Sequence, residues 1–371
     1  MARVGDAMEV NKAVNAAGQR ESSITTITNA DRVQLKPALL NIFGLKGVAE
    51  DAYASIDMWL KQKTLVQQGK IDDSKLLYDL EYFSLKDQKG KIFGVAGIYT
   101  VQTSAPGFGA KDNSWIVARS GWTGVTEEAR GKGYGKLIVE LEIQKARERG
   151  AKIFCWETSP VWENVPPLLR GFGFVNNSNV KDYYGKGIDL RSLYTNLEAI
   201  DLSTSAKLIE TYDNSKLNWL KPILGEKKFA WLSEVVEKAA YTKKIAETFP
   251  GIISATPYMI EDNGRPIGFS LLSMYQWEGA PERAPKATFV AAERGKEDVV
   301  AQAIAQKAKE LGMRMLVVEV PKGENVALEK SIEKIGFVTS RTIKGLYGVY
   351  DIDGKEQAVD QLIFSRELKT I

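Results

Sequence analysis

Val125-Thr126-Glu127-Glu128-Ala129-Arg130-Gly131-Lys132-Gly133-Tyr134-Gly135-Lys136 is the stretch that decides how this 371-residue chain is read. Beyond it Tyr134, Leu137, Ile138 and Leu141 recur at helical spacing, so the glycines stand where a helix begins. Lys145, Arg147 and Arg149 load the last turns of that helix, and Gly150 follows as its stop. Ahead of it, residues 115–125 read as a strand. A glycine-rich link from strand to helix presents unbonded N–H groups and the positive end of the helix dipole, with no Cβ atoms to keep an anion away. Arg130, Lys132 and Lys136 add positive charge. The stretch therefore reads as a place for a diphosphate. The spacing to a Lys-Ser/Thr pair is wrong for a Walker loop, and no third glycine completes a dinucleotide fingerprint.

The elements around it follow from periodicity. A β-branched strand at 24–28 precedes helices at 33–43 and about 48–65, with Asn29 or Asp31 as the first cap. Strands at 75–85 and 91–101 flank a turn at 86–90. After the loop helix come a buried strand at 153–158 and a short helix at 164–170, which Pro166 and Pro167 confine to its start. Gly173-Phe174 and further strand, through Tyr183-Tyr184, complete the series.

Beyond residue 250 the series begins again. Residues 200–250 are mostly helical in pattern, 257–261 and 265–275 form a hairpin, and 286–291 is a strand. A helix ends at Gly312, a strand covers 313–320, a helix covers 325–335, and Gly336-Phe337 follows. Gln144-Lys145-Ala146 aligns with Gln306-Lys307-Ala308, and the same register sets Glu157 on Glu319. Ordered agreement over three elements indicates duplication. The expected organisation is a flexible segment at 1–22, a first α/β domain at 23–200 and a second at 201–371.

Composition narrows the chemistry. The chain has no histidine, which removes Ser-His-Asp and Cys-His systems and His-containing metal sites, so no metal is expected. A general base must be a carboxylate, Lys, Tyr, a terminal amine or water. One cysteine, Cys155, lies in an apolar run and reads as a small buried side chain in a reducing, cytoplasmic setting. Fifty basic residues against 47 acidic ones give +3, mixed along the chain, which does not indicate a nucleic-acid binder. The longest apolar run is about ten residues, too short to span a bilayer.

With strand, loop and helix in this order, the sequence resembles the GCN5-related N-acetyltransferase (GNAT) superfamily, whose acyl-CoA signature is Arg/Gln-x-x-Gly-x-Gly/Ala. The resemblance covers the first half strongly and the second weakly. It implies an α/β (α+β) fold of two GNAT-like domains, each a mixed, mostly antiparallel sheet flanked by helices. It implies acetyl-CoA as donor. The pyrophosphate would lie on Arg130, Gly131, Lys132, Gly133, Tyr134, Gly135 and Lys136, and the pantetheine along Thr123, Gly124 and Val125. A bulge there would splay the strand from 153–158, and an N–H near Val125 would polarise the thioester. Glu157 is the first candidate for the base, with a strand-end salt bridge as its structural alternative; Glu81 and Glu128 are weaker candidates. The family's usual acid, a Tyr in the later helix, is missing from Pro166-Pro167-Leu168-Leu169-Arg170-Gly171-Phe172, so Tyr184 or Tyr183 is the substitute. Tyr99, Trp115 and Trp122 lie on strands that would flank the acceptor channel.

In the second domain Glu297 and Asp298 stand where Gly135 and Lys136 do in the first, and acidic side chains oppose phosphate. The second copy is therefore expected to be degenerate for CoA. The expected activity is acetyl transfer to a primary amine, small molecule or peptide, by direct attack in a ternary complex, with neither nucleic acid nor membrane as partner, by a monomer or homodimer. The alternatives are a tandem-GNAT aminoacyl transferase using aminoacyl-tRNA and a non-catalytic acyl-CoA sensor or interaction module.

Overall fold

Two repeats of one element order make up the chain in this computed structural model. It describes residues 22–101 except 77, 116–196 except 177–178 and 186–187, 202–248, 254–274, 286–339 except 314 and 324, and the strand segments 342–343, 349–352, 355–358 and 361–367. The first repeat runs β1 (Ser23–Thr26), α1 (Arg32–Phe43), α2 (Lys46–Gln67), β2 (Tyr78–Lys86), β3 (Ile92–Val101), β4 (Ile116–Ser120), β5 (Gly124–Val125), α3 (Tyr134–Glu148), β6 (Ala151–Thr158), α4 (Val165–Gly171) and β7 (Val175–Asn176). A hairpin follows, β8 (Asn179–Gly185) and β9 (Ile188–Asn196). The second repeat runs β10 (Lys207–Glu210), α5 (Lys221–Leu224), α6 (Glu226–Thr248), β11 (Ser254–Asp262), β12 (Arg265–Met274), β13 (Lys286–Ala292), α7 (Glu297–Glu310), β14 (Met315–Pro321), α8 (Val326–Lys334) and β15 (Val338–Thr339). It ends in β16 (Thr342–Ile343), β17 (Val349–Ile352), β18 (Lys355–Ala358) and β19 (Gln361–Glu367). The residues 1–22 expected to be flexible lie outside the described residues, apart from Ser22.

Local chemistry starts and stops these elements. The Thr28 N–H and hydroxyl both donate to Asp31 Oδ2, at 2.8 and 3.1 Å, and Lys86 pairs with the other oxygen at 2.6 Å. That box launches α1, and Gly44, at positive φ, ends it. Helices α1 and α2 bury Leu35, Leu39, Ile56 and Trp59 on one face of β2 and β3, against Leu80, Tyr82 and Val95. On the opposite face Ile138, Val139 and Leu141 of α3 pack on Ala96, Ile98, Ala118 and Phe154. Alternate residues of β3 thus point to opposite helix layers, as the two-residue period of a strand requires.

The sheets are built from both repeats. The first runs β1-β2-β3-β4-β6-β19-β16, and the second β10-β11-β12-β13-β14-β9-β15. Strand β19, from the end of the chain, pairs antiparallel with β6 from Leu362↔Thr158 to Glu367↔Ile153. Strand β9, from the first repeat, pairs antiparallel with β14 from Met315↔Asn196 to Pro321↔Leu190. Each repeat thus lends a late strand to the other's sheet, and hydrogen bonds cross the expected 200/201 boundary in both directions. A shared core of Val117, Ile153 and Cys155 from the first sheet with Phe269, Leu271 and Phe289 from the second lies between them.

The strand read as 115–125 is two pieces, and the break makes the site. Parallel β4 and β6 pair only from Ile116↔Ala151 to Arg119↔Cys155. Past Ser120 the chain kinks, and β5 pairs back to β3 through Gly94↔Val125 and Val95↔Gly124. The far end of β6 therefore has no partner on its β4 side among the described residues, and a slot opens there. At the kink the Gly121 N–H donates to the Gly97 carbonyl at 2.6 Å. A Cβ on Gly97 would lie 2.4 Å from Tyr82 Cε1 and 3.1 Å from Gly121 Cα, so this crossing tolerates no side chain.

Candidate functional site

Seven residues, 127–133, link the end of β5 and Thr126 to α3. The Thr126 N–H donates to the Phe93 carbonyl at 2.8 Å, which anchors the entry of the loop to β3. Gly131 and Gly133 adopt φ of 73° and 84°. Among the described residues, the N–H groups of Gly131, Lys132, Gly133, Tyr134 and Gly135 have no acceptor within the protein. Successive free amides around left-handed glycines at a helix N-terminus form a concave anion site. Lys132 and Lys136 are exposed beside it. Arg130 is exposed as well, and its Nη2 donates to the Ile42 carbonyl at 3.0 Å. This contact ties the loop to the end of α1.

The corresponding loop of the second repeat is shorter and carries its own carboxylates. Its entry is the same, with the Glu293 N–H donating to the Ile267 carbonyl at 2.8 Å, but only residues 294–296 separate Glu293 from α7. The buried Glu297 carboxylate accepts the Gly295 N–H at 2.8 Å. Lys296 pairs with Asp262 at 3.2 Å, and Lys334 with Asp298. Here the protein's own carboxylates engage a loop amide and the neighbouring lysines.

Thr123, in the kink, turns its hydroxyl inward. It lies 3.1 Å from the Gly97 N–H and 2.5 Å from Glu142 Oε1. Glu142 was not anticipated from the sequence, because its place in α3 belongs to the buried face of an amphipathic helix. Its Oε1 also accepts the Gly97 N–H at 3.2 Å, while Oε2 has no partner among the described residues. Burial pushes this carboxyl well above the ordinary range, against the two hydrogen bonds that lower it. A carboxyl raised in the folded state makes its contribution below its ordinary value of 4.5 and loses it as pH rises. The variant E142Q is thus expected to melt with wild type near pH 4 and increasingly above it toward pH 8, read by circular dichroism. A gap that shrinks with rising pH would contradict this.

Glu157 lies at the end of β6 on the face opposite α3, and the strand-end salt bridge weighed for it is present. Arg119 Nη1 donates to Glu157 Oε1 at 3.0 Å, and Arg119 Nη2 lies 3.2 Å from Glu319 on β14. The two glutamates that the duplication aligns thus grip one arginine across the repeats, and Arg119 is a residue the sequence reading missed. All three side chains are at most 20% exposed. Removing the arginine leaves two crowded carboxylates, so Arg119→Met should cost about 3 kcal/mol of stability. Equal denaturant midpoints for variant and wild type would refute this.

Glu81 is bound to Arg149 at 3.0 Å, away from the slot. Glu128 is exposed, accepts from Asn41 Nδ2 at 3.4 Å, and has its carboxyl lowered by hydrogen bonds within its own turn and from Thr126. Tyr184 is on β8, whose described pairing is with β9 in the second sheet. The side chains of Tyr183 and Tyr184, and all of Trp115, lie outside the described residues. Trp122 follows β4 and Trp162 follows β6, so one stands on each side of the slot. Both meet Phe43 edge-on, with ring centroids at 5.5 and 5.9 Å. The Trp122 indole donates to Ser55 Oγ at 2.7 Å, and Tyr99 packs in the same cluster. Trp162 was also unforeseen. No helix among the described residues is long and apolar enough to cross a membrane.

Residues 52–174 match the model of the acetyltransferase (GNAT) family, and this part of the chain is a GNAT domain. The match contains α3, its loop and the kink. In solved structures the fold is similar to that of a fungal multi-domain GH3 beta-N-acetylglucosaminidase with a GCN5-related glucosamine N-acetyltransferase region. That likeness has 14% identity and a TM-score of 0.52, and covers 94% of this chain but 38% of that one. A tandem GNAT protein from the clavulanic acid biosynthesis pathway is similar at 10% identity and a TM-score of 0.50, over 94% of this chain and 99% of that one. At such identities the likeness is one of fold, and it extends through both repeats. No curated protein sequence matches the chain.

Proposed function

We propose that this acyltransferase-family protein moves an acetyl group from acetyl-CoA to a primary amine by direct attack in a ternary complex. The observation that supports this most is the run of acceptor-free amides from Gly131 to Gly135, set beside a slot between β5 and β6. The amides and the exposed Lys132 and Lys136 would hold the pyrophosphate. The pantetheine would follow 123–125, and the Val125 N–H would face the thioester oxygen as charge develops there. The amine nitrogen forms a bond to the acetyl carbon, the carbon–sulfur bond breaks, and CoA leaves as a thiolate. The amine must first lose a proton. We assign its acceptance, through water, to Glu157, which the Arg119 contact fixes at the end of β6. Tyr184 or water returns a proton to the thiolate.

The second repeat is, in this proposal, a degenerate copy, since Glu297 caps the amides its shortened loop retains. The single buried cysteine suits a cytoplasmic setting. Incubating the full chain with acetyl-CoA and a panel of peptide N-termini, lysine, polyamines, amino acids and aminoglycosides tests the reading. Free thiol should appear with at least one primary amine. Acetyl-CoA binding without thiol release from any amine would favour a sensor, and a salt-sensitive tRNA complex without acetyl-CoA binding would favour aminoacyl transfer.

A further inference from the structure

A carboxyl group with no exposure is costly in an interior, and Glu142 sits where the second repeat has none. In the register that aligns Gln144-Lys145-Ala146 with Gln306-Lys307-Ala308, Glu142 falls on Ile304, buried in the second core. Filling space under the sheet therefore does not require an acid. What differs is the crossing above it. In the first repeat three residues, 121–123, bulge opposite β3 between the pairs Ile98↔Ser120 and Val95↔Gly124. Within that bulge the Gly97 N–H and the Thr123 hydroxyl both reach Glu142 Oε1, at 3.2 and 2.5 Å. One atom on α3 thereby joins β3 to the segment that swings away from β6.

We propose that Glu142 is a positioning residue, whose buried Oε1 pins Gly97 and Thr123 and so holds the kink that keeps 124–126 apart from β6 and open to an acyl-CoA arm. The inference rests on the acetyl-CoA reading for its purpose but not for its geometry. Glutamine retains a neutral acceptor oxygen at the same reach. Leucine fills the space, as Ile304 does, and accepts nothing. Valine at position 123 removes the hydroxyl that meets the same atom.

Full-length wild type, E142Q, E142L and T123V are compared at a temperature where all are folded by circular dichroism. Two readouts are used: hydrogen exchange over 120–126 without ligand, and steady-state kinetics with acetyl-CoA. Exchange should quicken about tenfold in E142L and T123V and stay within twofold of wild type in E142Q. The KM for acetyl-CoA should rise about tenfold in the same two variants, with a smaller change in kcat, and E142Q should restore it. The double variant E142L/T123V should be no worse than either single one. Wild-type exchange over 120–126 in E142L, or an E142Q as impaired as E142L, overturns the pin. Should wild type turn over no acetyl-CoA yet show the expected exchange pattern, the acetyl-CoA reading fails and the pin stands.

Discussion

Gly133→Val should lower affinity for coenzyme A by about a hundredfold or more and leave the fold intact. Gly133 has φ of 84°, and no atom lies within 4 Å of a Cβ placed there. The obstacle is thus the backbone, not crowding. A left-handed conformation costs an ordinary residue about 1–2 kcal/mol and a β-branched one more, so the loop relaxes toward another geometry. The amides of 131–135 then no longer converge. Hydrogen bonds to a charged group contribute about 1.5–3 kcal/mol each, and losing two exceeds a factor of a hundred. Helix α3 is held independently by Ile138, Val139 and Leu141, so melting should shift little. Calorimetric titration of coenzyme A, beside a thermal melt, reads both. Unchanged affinity in a folded variant would remove the phosphate site from this loop.

A chain ended at residue 360 should fail to melt as a cooperative unit, although the deleted residues lie some two hundred positions from the strand they serve. Strand β19 covers six residues of β6, from Ile153 to Thr158, and also pairs with β7 and β16. Its loss turns β6, with Phe154, Cys155 and Trp156, into an open edge. Backbone hydrogen bonds lost at about 1 kcal/mol each, with the apolar contacts above them, approach the ~5–15 kcal/mol that holds a typical protein folded. The exchange of β9 and β19 makes a companion expectation. Fragments 1–200 and 201–371 should aggregate when refolded alone and recover a common melting transition when refolded together. Circular dichroism and gel filtration read both experiments. A truncated chain that melts like the full one would contradict the exchanged topology.

Much of the fold is legible in the chain because its signals are local. The period of Tyr134, Leu137, Ile138 and Leu141 marks α3, and Asn164 before Pro166 and Pro167 marks α4. Both helices stand within a residue of where periodicity and proline place them. Strand β10 was not foreseen within a segment that reads as helical, since four residues at a sheet edge carry too little pattern. The break between β4 and β5 is likewise hidden, because Gly121-Trp122-Thr123 continues an apolar strand in sequence. Only the crossing of Gly97 and Gly121 interrupts it. The hydrogen bond from Arg130 to the Ile42 carbonyl is equally hidden, because the two residues are 88 positions apart in the chain.

The sequence by itself determined the duplication, the helix that follows the glycines and the glycine-rich loop at its start, because each depends on residues close in the chain. Tertiary structure alone decided which sheet each late strand joins, since β9 and β19 have similar strand patterns and only proximity selects a partner. It also decided that Glu157 and Glu319 share Arg119. The same holds for Glu142, whose buried oxygen meets Gly97 and Thr123 only after α3 has packed across the kinked sheet. Hydrogen bonding and charge pairing depend on distances of a few ångströms, and in these cases folding sets them between residues that periodicity cannot relate.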